Sequence, residues 1–205
     1  MKIIPTYLLL LCLVLAGCKS NRSTTTTPGN TKTDTVQAQQ TPPPIQGQAN
    51  PSFEAARTGD LAALKTYLAS GGNVNVLDEY RGTLLHAAAD GGQEEVAAFL
   101  MDKGLSPNAV SDDGFTPLHN CALRGDSATA ELLLKKGAVI YVRDNNQMTP
   151  LHLCGLRNNV AVAKVLVAHG ADFNDVNKNQ WTPLRVAQYG KSADVEAFLK
   201  SKGAK

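Results

Sequence analysis

Three regimes of apolar and polar residues follow one another along the chain. The first is an apolar run from Ile3 to Ala16 behind a single lysine, Lys2. It falls short of the ~20 apolar residues a spanning helix needs, and it has the place and size of a secretory h-region. The second regime, Lys19 to Ala49, is rich in Thr, Gln, Pro and Ser, with Val36 and Ile45 its only branched aliphatics. Such a stretch buries too little apolar surface to offset its ordering entropy, which predicts a solvated tether. As a flexible coil it spans roughly 30 Å, and on the order of 100 Å when drawn straight. From residue 50 onward apolar residues return at helical spacing, in blocks that repeat.

The blocks align without slippage. "GTLLHAAADGG" from Gly82, "FTPLHNCALRG" from Phe115, "MTPLHLCGLRN" from Met148 and "WTPLRVAQYGK" from Trp181 place Thr83, Thr116, Thr149 and Thr182 33 residues apart. Leu100, Leu133, Leu166 and Leu199 share a later column, and Gly104, Gly137, Gly170 and Gly203 another. An earlier block opens at Asn50-Pro51, in register with the Thr-Pro pairs, and holds Gly71 one period before Gly104. Threonine followed by proline predicts an N-cap and a first helical position, where the side-chain oxygen accepts from an orphan amide and proline's missing N–H costs nothing. "LHAAADGG" then predicts a short helix of small residues, and "GDSATAELLLKKG" a longer one closed by glycine. Segments such as "AVIYVRDNNQ" read as extended turns. No such unit can bury its apolar face alone, so stacking must supply the core and the end units need a polar outer face. Lys191, Glu196, Lys200, Lys202 and Lys205 give the last unit one.

These blocks resemble ankyrin repeats. The resemblance implies an all-α repeat solenoid of five ankyrin repeats, at about 50–81, 82–114, 115–147, 148–180 and 181–205, elongated and with a concave groove. The end of the first apolar run, Leu15-Ala16-Gly17-Cys18, resembles the lipobox of bacterial lipoproteins. That implies a signal peptide over 1–17 cleaved before Cys18, acylation of the Cys18 sulfur, a lipid anchor and tether over 18–49, and a repeat domain over 50–205. Each buried methylene contributes ~0.8 kcal/mol, so the several acyl chains implied would hold the protein on a membrane. Lys19, rather than an aspartate, follows the cysteine, which favours the outer membrane and a periplasmic location.

Composition narrows the chemistry. The formal charge is +2 over 205 residues, with acids and bases interspersed and no basic stripe carrying aromatics, which argues against nucleic acid. His119 and Cys121, two positions apart, invite a metal or nucleophile reading. Yet His86, His119 and His152 share one column, where ankyrin histidines hydrogen-bond within and between turns, and Phe53 and Arg185 take it in the end repeats. Cys121 and Cys154 share the column of Ala88 and Ala187, where a free cysteine packs as a small hydrophobe. Neighbouring helices lie 8–10 Å apart while a disulfide needs Cα atoms within ~7 Å, so no bridge is expected. No catalytic set, cofactor, metal site or small-molecule substrate is expected either.

The resemblance places partner binding on the turn tips and the inner face of the first helices. The candidate contact residues are Phe115, Met148 and Trp181, one column before the threonines. Leu123, Arg124, Leu156, Arg157 and Tyr189 lie four and five after the histidines, and Tyr80 lies on a turn. Aromatics and arginine are enriched at binding hot spots. The competing account packs Phe115, Met148 and Trp181 against adjoining turns. In the glycine column six after the histidine stand Asn158 and Lys191, the latter expected to lean on Gly190 for the turn, and usual turn residues are altered at Ser111, Tyr141 and Asn177. The function implied is a membrane-anchored periplasmic module that binds another protein. The alternatives are an immunity or inhibitor protein against a toxic lipase or peptidoglycan hydrolase, and thiol-based protection through Cys121 and Cys154.

Overall fold

A computed structural model describes residues 50–205; the expected signal peptide, Cys18 and the expected tether lie outside the described residues. Ten helices follow in chain order: α1 (Pro51–Thr58), α2 (Leu61–Ala69), α3 (Leu84–Gly91), α4 (Glu94–Asp102), α5 (Pro117–Arg124), α6 (Ser127–Lys135), α7 (Pro150–Arg157), α8 (Val160–Ala168), α9 (Pro183–Tyr189) and α10 (Ala193–Ser201). They form five pairs. The first helices of successive pairs stack on one another from α1 to α9, and the second helices pack α4 on α6, α6 on α8 and α8 on α10. This is a helical repeat solenoid.

Burial follows the repeat columns. Leu100, Leu133, Leu166 and Leu199 are fully buried, as are Leu85 and Leu118 one residue before the histidines. Each such side chain contributes about 1.5–3 kcal/mol relative to exposure. In the first pair Tyr67 takes the place of that late leucine. It is half-buried, and its hydroxyl donates to the Asn73 carbonyl at 3.2 Å, a polar tip suited to an end unit.

The caps form as the sequence predicts. Asn50 accepts from the Ser52 amide at 3.0 Å, and Thr182 accepts from the Arg185 amide at 3.2 Å. The three middle repeats add histidine to the cap. The Thr116 amide donates to His119 Nδ1 at 3.1 Å, so Nδ1 is the acceptor and the proton sits on Nε2. That Nε2–H donates to the Met148 carbonyl of the next repeat at 3.2 Å. His86 reaches the Phe115 carbonyl and His152 the Trp181 carbonyl in the same way, each at 3.0 Å. Histidine thus satisfies one turn's donor and the next turn's acceptor together.

Each turn between pairs is closed by a side chain accepting from backbone amides. Asp144 Oδ1 takes the Asn146 and Met148 amides at 2.8 Å each. The altered turn residues keep this role: Asn177 accepts from Asn179 and Trp181, and the Ser111 hydroxyl from Phe115 at 3.2 Å. Arg81, Gln147 and Gln180 take left-handed φ of 58°, 59° and 60° in the turns. Gly114 shares their column, and there a Cβ would lie 2.9 Å from the Asp144 Cα, so that turn requires glycine.

The expectation about Gly190 is corrected. Its φ is −73°, ordinary helix, and Lys191 itself takes the left-handed conformation at φ 55°. The reason is register: the left-handed residue must fall at the same place in every repeat to aim the second helix, and Gly190 lies one place early. Asn158 holds that place in the fourth repeat at φ 59°, and its side chain does a second job. Asn158 Oδ1 accepts from the Asp194 and Val195 amides, capping α10 of the next repeat.

Candidate protein-binding surface

Backbone hydrogen bonds tie the four turn tips into a row. The Asp112 amide donates to the Tyr80 carbonyl at 2.9 Å, the Asn145 amide to Asp113 at 3.1 Å, and the Lys178 amide to Asn146 at 3.1 Å. The row fixes neighbouring tips in order and presents their side chains side by side.

Phe115, Met148 and Trp181, in the column before the threonines, are all half-buried and differ in what they pack against. Phe115 and Met148 pack against the core, with the Phe115 ring stacked on His119 at 5.4 Å between centroids and 10° between planes. One uniformly exposed column is therefore not what the structure presents. Phe115 and Met148 each offer a carbonyl to the preceding repeat's histidine and have a further turn beyond them to pack against. Trp181 accepts the same hydrogen bond and is likewise half-buried, but its ring packs among exposed side chains of the last repeat. Its ring is tilted at 53° against Tyr189 with centroids 5.1 Å apart, and the Arg185 guanidinium lies 5.9 Å from its centre.

The remaining candidate residues lie on α5, α7 and α9 and on the first turn. Tyr80 and Tyr189 are exposed, 46% and 66% respectively. Leu123 and Leu156 are half-buried, Leu123 against the core. Arg157 is exposed. Arg124 is not a bare cation: its Nε and Nη2 grip the two carboxylate oxygens of Asp90 at 2.7 and 2.8 Å. Asp90 also lies 3.9 Å from Arg57, so one carboxylate links the first three repeats.

Two surface residues had no role in the sequence-based expectation. Arg185 was noted only for breaking the histidine column, and that break is the signal that could have marked it. Tyr141, 73% exposed, stands in the column of Asn75, Asn108 and Asn174. Asn108 uses its side chain to join the next repeat, accepting from the Val139 amide at 2.7 Å and donating to the Gly137 carbonyl at 3.0 Å. The tyrosine phenol has no amide with which to make this pair of bonds.

The buried polar groups are scaffold. Burial lowers the pKa of His86, His119 and His152, His119 to about 4, and keeps them neutral as the cap requires. Cys121 and Cys154 are free and fully buried, and burial pushes both thiols well above their ordinary value. A thiol both unreachable and protonated is a poor nucleophile, which weighs against thiol-based protection. Among the described residues, no group of three or more His, Cys, Asp or Glu is placed to hold a metal ion.

A family model described as "Ankyrin repeats (3 copies)" matches residues 52–144 and 121–205, together the greater part of the chain. A comparison with curated proteins finds no match.

Proposed function

Because the chain belongs to the ankyrin repeat family, a family of protein-interaction modules, we propose that it is a membrane-anchored periplasmic protein that holds a partner protein along its turn tips and the exposed ends of its first helices. The anchor rests on Leu15-Ala16-Gly17-Cys18 behind an apolar run, with Cys18 as the acylated residue. The observation that carries the binding surface is the cluster of Trp181, Tyr189 and Arg185. A tryptophan and a tyrosine meet there outside the buried core, beside a cation, and that combination is the composition of an interface anchor.

Two measurements test the proposal. Cys18→Ala should leave the protein unacylated and shift it out of the membrane fraction; normal mature protein in membranes would refute the anchor. Trp181→Ala in the full chain should weaken binding to a partner isolated by periplasmic cross-linking by roughly 2 kcal/mol or more. If that variant instead lowers the melting temperature by many degrees while the folded fraction binds unchanged, the tryptophan serves the scaffold.

A further inference from the structure

The row of turn tips changes charge along its length. The first two tips carry Glu79, Asp112 and Asp113, all exposed, beside Asp78, whose carboxylate also closes the first turn by accepting the Tyr80 and Gly82 amides, and Arg81 at 3.6 Å from Asp112 offsets them only in part. The negative field is strong enough to register on a neighbour: Glu79 above all, with Asp113 and Asp78 adding, holds the Tyr80 phenol above its usual pKa. The third tip is close to neutral: it exposes Asn145 and Gln147, its one carboxylate, Asp144, is buried against backbone amides, and Arg143, which donates to the Gln147 carbonyl, is paired with Asp175. The fourth tip exposes Lys178, and the last repeat beside it adds exposed Arg185 and Lys191 around Trp181 and Tyr189.

Nothing in the packing demands this order. The same turn geometry is built at all four tips by a side-chain oxygen at Asp78, Ser111, Asp144 and Asn177, and the charged residues beside it point to solvent. Surface charge that does not serve the fold is available for recognition, where complementary fields fix register and reject wrong partners. From the first tip to the fourth are three repeat intervals. At 8–10 Å each they span about 30 Å, the length of roughly nine extended residues.

Resting on the binding surface proposed above, we infer that the partner presents one protein segment with opposed charge at its two ends: a basic end lies along the first two turn tips, and an acidic end carrying an aromatic or aliphatic anchor lies on the last repeat. The segment therefore binds in one direction only. Its anchor meets Trp181 and Tyr189, its carboxylates meet Lys178 and Arg185, and the near-neutral third tip leaves its middle unspecified.

The test uses the full chain in detergent and two synthetic 18-residue peptides of identical composition, each with a fluorophore. In the block peptide lysines fill one half, and glutamates with a phenylalanine and a leucine fill the other. In the second peptide the charges alternate. The expected result is at least tenfold tighter binding of the block peptide at low salt, an advantage that shrinks as salt is raised. Asp112→Lys with Asp113→Lys, and separately Lys178→Glu with Arg185→Glu, should each abolish the preference. All four changes together should restore it with the peptide reversed, shown by the site to which a photo-cross-linker on its lysine end attaches. Equal affinity for the two peptides, binding of neither, or a preference unmoved by the reversals overturns the inference. Loss of both peptides in Trp181→Ala with no preference between them would leave the binding surface standing and remove only its polarity. Peptide binding that no variant alters would remove the surface itself.

Discussion

The histidine at the centre of each middle repeat does its work only while neutral. His119 Nδ1 receives the Thr116 amide and hydroxyl at 3.1 and 2.9 Å, and a proton added there would face those donors. Its folded pKa of about 4 lies below the ordinary 6.5, so the unfolded chain binds the extra proton first as pH falls. Stability from this group is complete above about pH 6.5 and is lost progressively toward pH 4, amounting to about 3 kcal/mol. His86 and His152, lowered by the same cause, act in the same direction. Urea denaturation at pH 7.5 and 4.5 should show the fall. His119→Leu should reduce it by that residue's share and cost about 2–4 kcal/mol at pH 7.5, because a buried amide and a buried carbonyl lose their partner. The cysteines give a second check. In a chain whose Cys12 and Cys18 are replaced by serine, Cys121 and Cys154 should be silent to a thiol reagent until denaturant is added; rapid native labelling would contradict their burial. These columns were legible because repetition exposes them: alanine in two repeats says what cysteine is doing in two others. The Arg124–Asp90 pair was not, since it joins residues 34 apart whose meeting depends on how successive helices lie.

At the scale of the element, most of each helix could be read in advance. The Thr-Pro starts, the glycine stops and the short-then-long rhythm all appear in the structure. Left-handed positions were legible in the glycine column that includes Asn158 and Lys191, whereas Arg81, Gln147 and Gln180 gave no sign in their own residue types, because a turn fixed by an Asx oxygen can force a side-chain-bearing residue into that conformation. Lys191 carries such a cost without an evident second role. Lys191→Gly should stabilise the protein by about 0.5–1 kcal/mol, the relief of left-handed strain less the entropy glycine loses. Gly91→Ala should act oppositely. A Cβ at Gly91 would fall 1.8 Å from the Arg57 carbonyl oxygen, so α1 and α3 would have to part, at a cost of about 1–3 kcal/mol. Chemical denaturation of both variants beside the unaltered protein decides each case, and a stabilised Gly91→Ala would show that the helices approach less closely.

For the molecule as a whole, the 33-residue period made the solenoid legible, while the surface was legible only in outline. A column gives the place of a residue in its repeat but not its depth. Phe115 and Met148 have a further turn beyond them, whereas the turn of Trp181 is the last, and only this difference in neighbours sets the tryptophan apart. The place of Arg185 is likewise not written in its column, since its role depends on the ring beside it. The bonds between turns carry one more consequence, a mechanical one. Every tie across the stack joins a repeat to the next, so a chain pulled from its two ends is a series of links with no fibre running their full length. Load opens the weakest junction, and its failure leaves the others intact. Stretched between bead and surface, the protein should lengthen in low-force steps, each releasing about 110 Å of contour for 33 residues. One rupture freeing all five repeats together would show that the links share their load.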